Sequence, residues 1–459
     1  MKEKTVPNFE FKEVVIIGAG PVGIMLNNFF SSNNVSCINL IPNTPIQFKS
    51  IDSKFELSEN SQSGKMRGNS SHWGNQHDPN IQMAWKLNSL SNLDAYPFAF
   101  EEMFSINGIL ESLGYPPLQF SISPQLGTDV IENFHFVGSH SPVKTLNHGE
   151  YIEIEPGSIR FSRHANLYRI SFLQSLEEEL FEKNLDSRYI FFASGGLSNV
   201  FFVDKIHDDL GKEKPVMNGK GYVNHPKFIS HEISLARFEA RKLLKEHTLV
   251  FKKWRKYPVF DVISKSGLRV SFRFWTLPRH NQNSKTKKFR KIHQILGKCV
   301  ENISALRSFN VVCYFELPQL KENSIEFISY NSNDHKMLFR INLDFPEKIW
   351  KEILESIDVF EKWLIGNFGI KEIKRQNFSV FESAFQDSNH HMGTTRMGKS
   401  ANISVVNRRC ELHNVERVYC VGTSVLPTGS SNHPTHIAIG IALIAAKEVA
   451  ESIKAYGHN

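Results

Sequence analysis

Three short stretches hold the residues whose types and spacing could do chemistry. Near the C-terminus the chain reads Asn389-His390-His391-Met392-Gly393-Thr394-Thr395-Arg396-Met397-Gly398, and later Ser431-Asn432-His433-Pro434-Thr435. A histidine held against a hydroxyl group can take its proton as a general base, an effect on the order of 10²–10⁴-fold in rate. Near the N-terminus, Gly18-Ala19-Gly20-Pro21-Val22-Gly23 follows the apolar run Val14-Val15-Ile16-Ile17. A strand, a glycine turn and a helix in that order present backbone N–H groups to a dinucleotide pyrophosphate. A dinucleotide site at one end and histidines at the other predict a cofactor enzyme whose chain returns to its own cofactor.

The elements that must position these residues are partly legible. Val14 to Ile17 reads as a strand buried on both faces, and Val22 to Phe30 as a helix packed closely through Gly23. A second strand over Val35 to Ile41 should end in an acid that binds a ribose, but it ends in Ile41-Pro42-Asn43. Residues 75–165 look loop-rich. A helix is expected from Leu167 to about Leu185, with Ile170, Leu173, Leu176, Leu180 and Phe181 on one face, followed by a buried strand over Tyr189 to Ala193. Val311 to Leu317, Ile325 to Tyr330 and Met337 to Leu343 read as three sheet strands. A helix should follow, with Asp344 as cap, Glu347 closing a capping box, an apolar face from Ile349 to Leu364, and Gly366 and Gly369 at its end.

With 459 residues, two domains are expected. Apolar residues make up 41% and charged ones 22%, which excludes a disordered chain, and the 36 phenylalanines promise large aromatic cores. The N-terminus lacks the apolar core of a signal peptide, and the run from Ile437 to Ala446 is too short for a membrane span. The five scattered cysteines, with no Cys-x-x-Cys pair, read as reduced core thiols, so a cytoplasmic protein is expected. No metal-ligand spacing is visible, and nothing resembles a nucleic-acid module. The stretch from Val262 to Val300 has no acidic residue among ten basic ones, including Lys265, Arg269 and Arg273. It reads as a solvated loop or as a docking surface for something acidic.

The ordered set of motifs resembles the glucose–methanol–choline (GMC) family of FAD-dependent oxidoreductases. The most specific part is C-terminal: His390-x-x-Gly393-Thr394, Val405-Val406-Asn407, Val418 to Ser424, and His433-Pro434-Thr435 opening a last helix. The N-terminal glycines, Gly68 to Gly74, Ala193 to Leu197 and Gly219 to Pro226 support it. The resemblance implies an α/β chain, α+β overall. A Rossmann-like FAD-binding domain would be assembled from 1–230 and 385–459. A substrate domain over 231–384 would be a mainly antiparallel sheet covered by helices.

It also implies the chemistry. FAD would accept a hydride from a CH–OH group while His390, rather than His391, removes the hydroxyl proton and His433 holds the developing alkoxide. Gly18, Gly20 and Gly23 would cradle the cofactor. Gly422, Thr423 and Ser424 would bring backbone and hydroxyl donors to it, and Pro434 and Thr435 would lie beside it. Ser70, Ser71, His72, Trp73 and Gly74 would lie against the flavin, with His72 either bonded covalently to it or merely packed near it. His225 matches a family turn in which Asp is usual before the His, and is read as stabilising that turn. His436 is open between site and core. The expected substrate is a sugar, polyol or other alcohol, acidic if the basic stretch serves it, with oxygen or a redox partner as electron acceptor. Two alternatives stay open: an oxygen-using oxidase of a hydrophobic or natural-product alcohol, and a catalytically inactive flavin-fold binding protein. The second is motivated by the missing ribose acid and by Asn69 and Asn75.

Overall fold

A computed structural model describes residues 10–43, 46–51, 63–64, 76–77, 106–117, 130–138, 150–176, 179–244, 249–251, 254–276, 306–315, 317, 320, 322–378, 387–427 and 433–456. The expected flavin-facing loop, Ser70, Ser71, His72, Trp73 and Gly74, lies outside the described residues, as do Asn69 and Asn75.

The glycine-rich end is built as its sequence pattern predicts. β1 (Glu10–Ile17) runs into the helix α1 (Pro21–Ser32) and returns as β2 (Cys37–Pro42), parallel to β1. Val14, Val15 and Ile16 are completely buried, as a strand covered on both faces requires. The same sheet includes β7 (Glu150–Ile154), β8 (Arg160–His164), β9 (Leu167–Leu176), β10 (Glu179–Phe192) and β19 (Val418–Cys420), in the order β19-β10-β1-β2-β7-β9-β8. β10 and β19 are parallel to β1, giving a Rossmann-like arrangement. Ile17 is in register with Phe192, and Phe192 with Cys420, so three loops leave the sheet side by side at its carboxyl edge. Ligands of such sheets bind in the crevice outside that edge.

The segment expected as a helix from Leu167 to Leu185 is instead the antiparallel hairpin of β9 and β10, with Leu176 paired to Glu179. Tyr168, Ile170 and Phe172 are buried while Arg169 and Ser171 are half-buried, a period of two that outcompetes the apparent helical spacing. Leu180 and Phe181, placed on the supposed helical face, are exposed near the hairpin tip.

A second sheet contains β5 (Gln76–His77), β6 (Ile131–Gly138), β11 (Lys227–Ala236), β13 (Trp254–Ile263), β14 (Arg269–Thr276), β15 (Leu306–Phe315) and β18 (Ile370–Arg375), with β12 (Leu249–Phe251) paired to β13. Its order is β18-β11-β15-β14-β13-β6-β5, antiparallel throughout. The three strands read together in the sequence divide between two sheets. β15 belongs here, whereas β16 (Ser324–Asn331) and β17 (Lys336–Asn342) join β3 (Ile46–Ile51) and β4 (Ser63–Gly64) in a four-stranded sheet. The cause is the parallel pairing of β17 with β3, which local periodicity cannot show.

Phe260 on β13 and Phe272 and Phe274 on β14 pack on Phe360 of the helix Glu347–Asn367, the Phe272 and Phe360 rings stacked at 3.9 Å. That helix buries the expected face from Ile349 to Leu364. Its cap differs from the expectation: Pro346 occupies the N-cap with no side-chain hydrogen bond. Asp344 lies two residues earlier, its N–H donating to Asn323.

The opposite face of the second sheet is polar. It presents Asp261, Arg269, Ser271 and Arg273, all essentially buried. The basic stretch therefore contributes a central strand as well as solvated residues such as Lys265, which is 92% exposed. Arg269 pairs with Asp261 at 2.5 Å, and the Ser271 hydroxyl donates to the same carboxylate. The basic residues from Arg279 to Lys298 lie outside the described residues.

Candidate active site

A two-residue bridge sets the geometry. Met392 and Val223 exchange both backbone hydrogen bonds, at 2.9 and 3.0 Å. This lays 387–391 alongside 222–225, and Asn389 turns the chain there with φ +64°. Asparagine tolerates that left-handed conformation better than most residues. The Asn224 amide donates to Asp387 at 2.8 Å and accepts from the Ser388 hydroxyl at 2.7 Å. The acid usual before His225 in the resembled motif is thus found on the facing segment, where Asn224 can bond to it.

These contacts bring His225 against His390, the Nε2 of one to the Nδ1 of the other, with ring centroids 4.4 Å apart. His433 completes the group, its ring 5.0 Å from His390 and 6.1 Å from His225. The two predicted catalytic histidines are brought together. His225 joins them, although the turn motif around it suggested only a structural role. The missed signal was the imidazole itself, two residues before a strand, which becomes informative only once Val223 pairs with Met392.

His391 points elsewhere: its Nδ1 meets the Tyr222 hydroxyl at 2.9 Å, in a buried contact. His436 is fully buried and faces Tyr115 at 6.0 Å, so it belongs to the core.

The surroundings are electropositive. Burial, followed by the charges of His225, Lys227, Arg273 and His391, holds the proton affinity of His390 well below the usual histidine range. His390 is nevertheless only partly covered at the surface, so its ring can be approached. The Tyr314 ring lies 5.8 Å from that of His225 and 5.9 Å from that of His433, and the Arg273 guanidinium sits 4.7 Å from the Tyr314 centroid. The three clustered imidazoles offer nitrogens within 4.8 Å of one another, close enough to grip a metal ion, which the sequence spacing did not suggest. The neighbouring Lys227 and Arg273 charges oppose a cation there.

Two observations test whether the residues fit a dinucleotide. The first is the glycine cradle. Gly18 has φ +119°, and a Cβ on it would meet the Ala193 carbonyl oxygen at 2.6 Å. A Cβ on Gly23 would strike the Gly18 carbonyl at 2.4 Å. Asn39 on β2 ties this turn from below, donating to Gly18 O at 2.8 Å and Gly23 O at 3.3 Å. Gly20 caps α1 with no side chain in the way, leaving the first-turn N–H groups for an anion. The second is Arg396, 2% exposed, whose Nε finds no hydrogen-bond partner among the described residues and whose pKa burial lowers to about 10. A buried guanidinium of this kind calls for an anion such as a cofactor phosphate. The residues fit FAD.

Gly422, Thr423 and Ser424 also reach the catalytic segment. The Thr423 hydroxyl donates to His391 O at 2.7 Å, and the Ser424 hydroxyl accepts from Asn199 at 2.8 Å. The Thr423 hydroxyl thus braces the catalytic segment, and that of Ser424 is tied to Asn199 as an acceptor. Pro434 and Thr435 open the helix Thr435–Tyr456, and Pro434 O accepts from Ala438 N–H at 2.9 Å.

Comparison with known proteins agrees with this architecture. Residues 326–442 match the family model described as GMC oxidoreductase, at its C-terminal domain. No curated protein matches the sequence significantly. Among solved structures, pyridoxine 4-oxidase from Mesorbium loti superposes with TM-score 0.57 at 12% identity, covering 96% of this chain and 99% of its own. A formate oxidase of Aspergillus oryzae RIB40, an arginine-to-lysine variant studied for its effect on FAD modification, gives 0.53 at 12% identity over 98% and 100%. A further formate oxidase structure gives 0.52 at 12% identity over 98% and 100%. Residues 326–442 are thus similar to the C-terminal domain of GMC oxidoreductases, and the chain as a whole shares the fold of these solved oxidases.

Proposed function

We propose that the protein oxidises a CH–OH group of a small molecule, with FAD as hydride acceptor and His390 as general base. The observation that carries this reading is the His390–His433 pair, brought to 5.0 Å from two distant segments and backed by His225. When bound, FAD supplies the hydride-accepting step. The protein's own part is to hold and move the proton. If the Nδ1–H of His390 donates to His225 Nε2, the Nε2 of His390 is left unprotonated and can take the hydroxyl proton. His433 then stabilises the oxygen as it becomes negative. Low proton affinity keeps His390 in its base form at neutral pH.

In this reading Gly18, Gly20 and Gly23 hold the pyrophosphate and Arg396 supplies a compensating charge. Residues 1–230 and 385–459 supply most of the cofactor domain and 231–384 most of the substrate domain, with β5 and β6 of the first segment joining the second sheet and β16 and β17 joining β3. His72 remains the candidate for covalent attachment. The electron acceptor is oxygen or a redox partner, and the location is cytoplasmic. Four buried free thiols, Cys37, Cys313, Cys410 and Cys420, support that location. Among the described residues no helix is long and apolar enough to cross a membrane.

The test is anaerobic bleaching of the flavin by a panel of neutral and acidic alcohols, for wild type and His390→Ala. The variant should retain FAD and reduce it on the order of 10²–10⁴-fold more slowly. Unchanged reduction by every active alcohol would remove His390 from the role. A loaded protein that no alcohol reduces would favour a binding function.

A further inference from the structure

Three adjacent strands converge on the histidine cluster with one face. Lys227 on β11 is in register with Tyr314 on β15, and Tyr314 with Ser271 on β14. Arg273 and Trp275 follow Ser271 at intervals of two, so they share its side of the sheet. Tyr314 abuts both His225 and His433, and has a cation on either side: Arg273 over its ring, Lys227 opposite it in the ladder.

The Lys227 ammonium is half-buried, 5.6 Å from the Trp275 ring, and makes no salt bridge among the described residues. Trp275 is 39% exposed, so this end of the face is open to solvent. Among the described residues, Asp261 holds Arg269 and Ser271, and Asp387 accepts from Asn224 and from the Asn389 N–H, so neither carboxylate makes a salt bridge to Lys227. Cations next to a general base weaken it, which opposes proton abstraction from a neutral alcohol. That disadvantage is offset if the same charges bind the substrate and favour its alkoxide.

We propose that the substrate of this site carries a carboxylate held by Lys227, in the positive field to which Arg273 contributes, so that the molecules it takes are hydroxy acids. This rests on the His390 site being where substrate binds. In the reaction the hydroxyl proton goes to His390, the hydride with its electron pair goes to FAD, and the hydroxy acid becomes an oxo acid.

Glycolate and ethylene glycol share a skeleton and differ in the carboxylate, so the pair isolates the charge. Calorimetric titration of the FAD-loaded protein should show glycolate binding and no comparable ethylene glycol binding. Lys227→Met should weaken glycolate by about tenfold or more, as expected for loss of a charge-assisted hydrogen bond. Lys227→Arg, which keeps the charge, should retain most of the affinity. Equal affinity for the two ligands, or glycolate binding indifferent to Lys227→Met, would overturn the proposal. The heat of binding needs no turnover, so the two readings fail separately. A Lys227-dependent glycolate site in a protein that no alcohol reduces would sink the redox reading alone. Flavin reduction by neutral alcohols, with glycolate silent, would sink the carboxylate proposal alone.

Discussion

At the scale of single residues, His390 is set by what surrounds it. Its proton affinity is depressed by burial and by the positive charges of His225, Lys227, Arg273 and His391. A base works in its unprotonated form, which persists down to its own pKa. The acid limb of kcat/KM should therefore lie below the usual histidine value of about 6.5. Lys227→Met removes one positive neighbour, so the His390 pKa should rise and the acid limb should move to higher pH. Lys227→Arg should leave it in place. A limb that stays put in Lys227→Met would mean that the charge does not reach the base. The sequence made His390 and His433 legible, because each sits in a dense local motif. His225, Lys227 and Arg273 were not, because their value comes from strands β11, β14 and β15 lying side by side. Arg273 in particular was masked by the run of basic residues around it, which suggested solvent, whereas strand alternation turns it inward.

At the scale of elements, the glycine turn between β1 and α1 is a packing solution as much as a binding one. A methyl group on Gly23 would be driven onto the Gly18 carbonyl, the turn that faces the cofactor. Gly23→Ala should cost about 1–3 kcal/mol of stability and weaken FAD binding, read by thermal melting and by cofactor titration. Gly366→Ala, on the long helix with nothing within 4 Å, is the matched control and should be neutral or stabilising by about 1 kcal/mol. If both variants behave alike, the close approach at Gly23 has no consequence. The βαβ unit was readable because strand, glycines and helix are contiguous. The β9–β10 hairpin was not, because its apolar residues satisfy two periods at once. Only the burial of Tyr168, Ile170 and Phe172 on one side decides for the strand. The pairing of β17 with β3, nearly three hundred residues away on the order of chain length, was likewise beyond any local pattern.

At the scale of the whole molecule, buried histidines tie stability to pH. His207, His231, His390 and His391 are all held below the usual histidine range, with burial the largest cause in each. The unfolded chain, with ordinary histidines, then binds more protons than the folded one below about pH 6.5. Their contribution to stability is full above that value and is lost as pH falls through it, at about 1.4 kcal/mol per pH unit for each group until its folded pKa is reached. The melting temperature at fixed FAD occupancy should decline from neutrality down to about pH 5.5. A flat profile over that range would show that these side chains are solvated in the folded protein. A Rossmann-like sheet and a separate antiparallel sheet were legible from motif order, while the entry of β5 and β6 into the second sheet and the third, four-stranded sheet were not.

The central claim is that this fold carries FAD and uses it. The most direct measurement is the absorbance spectrum of the purified protein after incubation with FAD and removal of the excess, followed by acid precipitation. A retained flavin spectrum is the predicted result, with colour in the pellet if the link is covalent and in the supernatant if it is not. A colourless protein that takes up no FAD would contradict the account.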